Sequence, residues 1–122
     1  MKFIFSKVVF GMSEYFEFKY LATDVFYECV NRDGLTYNQA IGKCFVDFSA
    51  QLDDNDAKAL AIYGTILANA AKYADSIVSL KEKYVSFMAL CNQQQIISVL
   101  NDNEREYLQE DLNWIKPKFS QL

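Results

Sequence analysis

The sequence predicts an all-α fold: a compact bundle of five or six helices around a central helix at about residues 54–74, in a single domain spanning residues 1–122. Three observations support this prediction. One proline and four glycines in 122 residues are too few for the many tight turns of a β-sandwich or barrel. Apolar residues recur at helical spacing, and helix-capping residues stand between these runs. The 52% apolar content is sufficient for a core without metals or disulfides and excludes intrinsic disorder.

The central helix is predicted from residues 56–73, DAKALAIYGTILANAAKY, whose apolar residues cover most of the helical circumference. Small residues spaced by four, three, four and three form one narrow column, which lets a neighbouring helix approach closely: Ala57, Ala61, Gly64, Ala68 and Ala71. A polar arc is expected to be the only face in contact with water: Lys58, Thr65, Asn69 and Lys72.

The chain before the central helix contains two further predicted helices. Residues 2–10 fit either a short strand or a first helical turn, and helix is preferred because no later segment offers a strand partner. Ser13 is a predicted N-cap for a helix that ends at Asn31 or Arg32, with Gly34 as its left-handed stop. Thr36 and Gln39 form a capping box that opens a second helix through about residue 52.

Two details of the second helix are predicted as well. Its buried stripe comprises Ile41, Cys44, Phe45, Phe48 and Leu52. Gly42 lies within this helix and suggests a close crossing with a neighbour. The polar run DDND at 53–56 then caps the central helix.

The chain after the central helix contains the remaining elements. A break or kink near residues 74–76 is favoured over one unbroken helix to Cys91, because such a helix would exceed the usual length. The apolar run at 96–100 is either a continuation or a separate short helix. Asn101 and Glu104 form a second capping box, which opens a last helix at residues 102–115. Pro117 is expected to end that helix and leave a short basic tail.

The absence of histidine excludes most kinds of active site. Without it there is no side chain whose ordinary pKa lies near neutrality, no Ser-His or Cys-His pair and no usual catalytic zinc site. The acids are expected on helix starts and outer faces, where their pKa values would not be shifted for catalysis. The DDND run does not have the register or the glycine of a calcium loop. We therefore expect no enzymatic activity, no cofactor and no metal.

Charge and cysteine content limit the partners and the compartment. A net charge of −4 and a pI of about 4.7 make direct nucleic-acid binding unfavourable and suit a basic protein partner. The odd number of cysteines, Cys29, Cys44 and Cys91, fits a reduced core and hence the cytoplasm. No run of 18 apolar residues predicts a membrane span, and the opening segment has no cleavage site for export.

Two predicted helix faces combine carboxylates with large side chains, as expected of a surface that docks a basic protein. The face on the early helix comprises Glu14, Glu17, Tyr20, Leu21, Asp24, Tyr27 and Glu28. The face on the last helix comprises Asp102, Glu104, Glu106, Tyr107, Glu110, Asp111 and Trp114. The alternative for each is an ordinary solvent-facing side whose rings turn inward.

The acid-and-tyrosine segments YFEFKYLATDVFYE at 15–28 and NDNEREYLQEDLNW at 101–114 have the character of a known protein class. In these segments, and in being small, acidic and histidine-free, the chain resembles bacterial toxin immunity proteins, in particular those of contact-dependent growth inhibition systems and the colicin immunity proteins. The resemblance implies a monomeric inhibitor of a basic toxin domain, most often a nuclease. Its carboxylates would occupy the place of substrate phosphates. A net charge of −4 is mild for such mimicry, so binding beside the active site stays open.

A helical adaptor or regulatory subunit, which dimerises or scaffolds a complex, is the alternative from another class. The adaptor and the immunity protein differ in expected oligomeric state, because an adaptor with a self-complementary face would form a dimer in solution. An immunity protein is expected to be monomeric and to bind its basic partner in a salt-dependent way.

Overall fold

The computed structural model describes residues 13–122, so the prediction for residues 2–10 lies outside the described residues. The described chain is an all-α bundle, as predicted, and contains no strand. Five helices exceed ten residues, two have four residues, and a 3-10 turn lies at Val78–Leu80. In chain order the helices are α1 (Glu14–Asn31), α2 (Tyr37–Asp47), α3 (Ser49–Leu52), α4 (Ala57–Tyr73), α5 (Lys81–Cys91), α6 (Gln94–Ile97) and α7 (Asp102–Phe119).

Helix α4 is the centre of the bundle. It contacts α1, α2, α3, α5 and α7, and every residue from Ala59 to Ala71 is buried. The predicted central helix is therefore confirmed, but its polar arc was interpreted wrongly. Thr65 and Asn69 are 4% and 6% exposed, because neighbouring helices enclose α4 on all sides over this stretch. Only the lysines near the two ends of the arc reach solvent.

The close approach predicted for the small column is present at Gly64. A Cβ placed on Gly64 would lie 3.1 Å from Oδ2 of Asp111 in α7 and 3.4 Å from a ring carbon of Phe87 in α5. These distances are at or below normal van der Waals contact, so α5 and α7 both pack directly on the α4 backbone at this point. A larger side chain at Gly64 would force the two helices outward.

The helix starts follow the predicted capping chemistry. The Ser13 hydroxyl accepts a hydrogen bond from the Phe16 N–H at 3.3 Å. Both predicted capping boxes form reciprocal hydrogen bonds, at Thr36 with Gln39 and at Asn101 with Glu104. The left-handed stop after α1 is confirmed by a φ of 70° at Gly34, and Asp56 caps α4 through the N–H groups of residues 58 and 59. Capping therefore satisfies backbone donors at four helix starts.

Two helix boundaries differ from the predictions. The segment predicted as one helix through residue 52 is divided at Phe48, although all five residues of its predicted stripe are buried. Helix α7 continues through Pro117 to Phe119 instead of ending near residue 115. Burial of the Phe119 side chain, 1% exposed and stacked on Tyr84 at 5.3 Å, holds the last turn in place. The lysines of that turn also face the negative end of the helix dipole.

The segment after α4 follows the favoured prediction. Ala74 has an extended backbone, with ψ at 143°, so the helix ends at Tyr73 and does not continue to Cys91. The apolar run at 96–100 belongs in part to the separate short helix α6.

Gly42 does not lie at a helix crossing, contrary to the prediction. It is exposed in the middle of α2, and a Cβ there would meet nothing within 4 Å. We expect Gly42→Ala to raise the free energy of unfolding by about 0.5–1 kcal/mol, because alanine loses less backbone entropy than glycine in a helix. Urea denaturation measures the change. Gly64→Ala is the control and should show no gain, and a loss of stability in Gly42→Ala would contradict the assignment.

Candidate partner-binding surfaces

The predicted face on α1 is largely at the surface. Glu14, Tyr20, Asp24 and Tyr27 are exposed, and Glu17 and Glu28 are half-buried. Leu21 is the exception, because it is 8% exposed and belongs to the hydrophobic core. The leucine therefore anchors α1 on the bundle and is not part of the docking surface, which corrects the prediction.

The predicted face on α7 is smaller than the sequence suggests. Glu106, Tyr107 and Glu110 are exposed, as is Trp114, but Glu104 and Asp111 are only 4% and 7% exposed. The Glu104 carboxylate is used in the capping box, where it accepts a hydrogen bond from the Asn101 N–H at 2.7 Å. Glu104 and Asp111 therefore have structural roles, and the prediction of both as partner-binding residues is corrected.

Asp111 forms an ion pair with Lys19 that joins α7 to α1. The Lys19 Nζ lies 2.8 Å from Asp111 Oδ2, and the two side chains are 12% and 10% exposed. Burial raises the pKa of Asp111 above its ordinary value, and the nearby ammonium of Lys19 opposes that rise. The expectation that all acids lie on helix starts and outer faces is therefore wrong at this position.

Aromatic contacts join the N-terminal half of α1 to α7 as well. The ring of Phe16 stacks on that of Tyr20, with centroids 6.0 Å apart. It also contacts the Tyr107 ring edge-on, with centroids 5.3 Å apart. Lys19 Nζ lies 5.9 Å from the centre of the Tyr107 ring. Tyr20 and Tyr107, predicted on separate faces, therefore adjoin through Phe16 and form one surface, which we call the α1–α7 surface.

The C-terminal half of α1 belongs to a different cluster, which the sequence did not predict. Tyr27 meets Tyr73, the last residue of α4, with their hydroxyl oxygens 3.5 Å apart. Tyr73 stacks on Tyr37, the first residue of α2, with centroids 4.8 Å apart and ring planes 16° apart. We call these three residues the tyrosine cluster. A helical wheel treats each helix alone, so no sequence pattern brings together three tyrosines from three helices.

The tyrosine cluster covers Phe26 and remains accessible. The Phe26 side chain is fully buried and stacks on both Tyr37 and Tyr73 at 6.1 Å, whereas the three tyrosines are 37% to 42% exposed. The hydrogen bond with Tyr73 raises the pKa of Tyr27, so the Tyr27 hydroxyl stays protonated at neutral pH. The three tyrosines of the cluster are therefore accessible to a partner.

The three cysteines are free thiols, as expected. Cys29 and Cys44 are buried and Cys91 is half-buried. Burial raises the pKa of Cys44 to about 12 and that of Cys91 to about 11. Since the thiolate is the nucleophile, these thiols are unreactive at neutral pH.

The described residues contain neither a metal-binding group nor a membrane-spanning helix. Between residues 13 and 122, no three histidine, cysteine or acidic side chains are grouped so that they could hold a metal ion. Over the same range, no helix has the length and apolar character needed to cross a membrane.

Comparison with known proteins finds no counterpart: no family model matches the chain, and neither a curated protein nor a solved structure is significantly similar to it.

Proposed function

We propose that this protein is an immunity protein that binds and neutralises a toxin domain in the cytoplasm, with a nuclease as the expected target. The observation that carries the proposal is the outer side of α1, where two exposed and two half-buried carboxylates lie among the exposed Tyr20 and Tyr27. Charges of this kind speed and orient the encounter with a basic protein, and tyrosines supply the desolvated anchors of an interface.

The proposed mechanism is occlusion of the toxin's basic active-site or substrate-binding surface. Carboxylates such as Glu17 and Asp24 would pair with lysines or arginines that otherwise hold substrate phosphates. Helix α1 is suited to this role because its opposite side is anchored in the core by Leu21, Val25 and Phe26, so little ordering is needed on binding. The same rigid surface would also serve beside an active site.

The direct test is protection of growth. If the reading frame immediately upstream encodes a toxin domain, its expression in a bacterial host should stop growth, and co-expression of this chain should restore it. The purified proteins should form a complex whose affinity falls as salt rises. A neighbouring protein that neither harms growth nor binds this chain would contradict the proposal for that pair.

Charge reversal identifies which surface binds. We expect Glu17→Lys with Asp24→Lys, or Glu106→Lys with Glu110→Lys, to weaken toxin binding about tenfold or more, a loss of about 1.4 kcal/mol or more. Unfolding free energy should stay within about 1 kcal/mol, as is usual for surface changes. Calorimetric titration and urea denaturation measure the two quantities.

The matched control is Asp53→Lys with Glu82→Lys, which makes the same change in net charge at exposed positions outside α1 and α7. This variant should keep the original affinity. Equal loss in all three double variants would mean that only the overall charge matters, and no loss in any of them would contradict acidic docking.

A helical adaptor or regulatory subunit is the second candidate. It is favoured by apolar side chains left at the surface, among them Val46, Val78 and Val99, which are 70% to 72% exposed. A self-complementary apolar face would give a concentration-dependent dimer. Sedimentation of the chain alone separates the two proposals, since an immunity protein is expected to remain monomeric.

A further inference from the structure

We infer that the tyrosine cluster, with the carboxylates beside it on α1, is the anchor site for an arginine side chain of the basic partner. This inference rests on the proposed function and names the part of the surface at which the partner is held. It differs from the sequence prediction because two of the three tyrosines, Tyr37 and Tyr73, come from outside α1 and α7.

The first argument is the geometry of the rings. Phe26, Tyr37 and Tyr73 have nearly parallel planes, with interplanar angles of 16° to 17°. Tyr37 and Tyr73 are also 42% and 37% exposed, so another flat group can reach these two residues. A guanidinium group is flat and is attracted to the negative face of an aromatic ring, whereas a lysine ammonium is compact and more strongly hydrated.

The second argument is the charge next to the rings. A shallow concavity of about 250 Å³ adjoins Tyr27 and is lined by Asp24, Tyr27, Glu28, Asn31 and Arg32. Arg32 is held at one end by Asp33 at 3.1 Å and by Glu28 at 3.6 Å. A guanidinium has donors in a fork that fits a carboxylate, so one arginine beside Tyr27 can also reach the two carboxylates that line this concavity with Arg32.

The third argument is rigidity. The three tyrosines come from three helices, and the Tyr27–Tyr73 hydroxyl contact and the stacking on buried Phe26 hold them in position. A hydrogen bond also joins residues next to Tyr73 and Tyr37, because the Asp75 N–H donates to the Asn38 side chain at 3.1 Å. Rings that are already ordered lose little entropy on binding, which is a property of interface anchors.

A nucleic-acid base also stacks on tyrosine, but it is the less suitable occupant. The phosphates of a nucleic acid would approach Asp24 and Glu28, on a protein whose net charge is already −4. The carboxylates of Asp24 and Glu28, together with the negative net charge, therefore favour an arginine-bearing segment of a protein.

The test uses capped oligoarginine and oligolysine peptides of equal length as probes of the full chain. Isotope-edited NMR titration at low salt should show amide shifts centred on Tyr27, Tyr37 and Tyr73. We expect the arginine peptide to bind about two- to fivefold more tightly than the lysine peptide, the range of an exposed cation–π contact. Tyr73→Leu, and independently Tyr37→Leu, should remove this preference for arginine.

Trp114→Leu is the matched control, because this ring is 49% exposed and contacts Lys72 on the α7 side. It should keep the preference for arginine. Equal binding of the two peptides, or shifts centred on Tyr107 that Tyr73→Leu does not affect, would overturn the inference while acidic docking survives. Absence of binding of either peptide at the cluster would also overturn the inference, whereas growth protection and charge reversal test the proposed function separately.

Discussion

Replacing Asp111 with alanine is expected to lower the free energy of unfolding by about 3–5 kcal/mol, the range for breaking a buried ion pair by removing one partner. The variant leaves the ammonium of Lys19, whose side chain is 12% exposed, without its carboxylate between α1 and α7. It also opens space where Asp111 packs on the α4 backbone at Gly64. Urea denaturation of the variant and the parent protein measures the loss.

The control for Asp111→Ala is the double variant Lys19→Met with Asp111→Leu. Apolar residues of similar volume often replace a buried ion pair at no cost, because the pair itself gains little after desolvation. We therefore expect the double variant to be more stable than Asp111→Ala and close to the parent. If the double variant is less stable than Asp111→Ala, the attraction within the ion pair stabilises the fold by far more than its desolvation costs.

The same carboxylate gives a pH dependence whose sign is opposite to that of a typical surface aspartate. Burial raises the pKa of Asp111 above the ordinary value of 3.8, so the folded state holds this proton more tightly than the unfolded chain. The resulting stabilisation is fully present below that ordinary value and is lost as the pH rises through the folded-state pKa.

The comparison that isolates this effect is the parent against Asp111→Asn, since every other group titrates in both proteins. The advantage of the parent in unfolding free energy should be largest at the acidic end of a series from pH 4 to pH 7 and should fall toward neutrality. An advantage that grows with pH would show that the attraction of Lys19 outweighs burial.

The second large loss of stability is expected when residues of the small column of α4 are enlarged. Ala61 and Ala68 are 0% and 2% exposed in a helix enclosed by five others. We expect Ala61→Leu and Ala68→Leu each to lower the free energy of unfolding by about 1–3 kcal/mol, because added methylenes have no space in a packed core. Thermal and urea denaturation should agree on the loss.

Ala89→Leu provides the comparison for these variants, because Ala89 is exposed on α5. Its free energy of unfolding should stay within about 0.5 kcal/mol of that of the parent protein. If Ala61→Leu and Ala68→Leu unfold at the same temperature as Ala89→Leu, that result would contradict a closely packed α4.

Local chemistry explains why most of the fold was predictable from sequence. Caps such as Ser13, Thr36 and Asn101 act within one helical turn, so neighbouring residues in the sequence determine them. The misplaced boundary at Pro117 has a tertiary cause, because burial of Phe119 extends α7 beyond a residue that usually ends a helix. Thr65 and Asn69 also depend on neighbours, since only the surrounding helices decide whether a polar arc meets water.

The candidate surfaces were predicted less completely for the same reason. The periodicity of α1 placed Tyr20, Asp24 and Tyr27 correctly on an exposed side. The periodicity of α7 could not distinguish Asp111, which pairs with Lys19, from an exposed acid on the same helix such as Glu110. The tyrosine cluster required the relative positions of α1, α2 and α4, which no single helix encodes.

The Lys19–Asp111 pair joins residues 92 positions apart and so determines when folding can finish during synthesis. A ribosome makes α1 and the central helix well before it makes Asp111. Until α7 emerges, the ammonium of Lys19 has no carboxylate, and the side of α4 that packs on α7 has no cover. Completion of the domain must therefore wait until α7 has been translated, and nascent chains stalled before α7 would expose an apolar surface to chaperones.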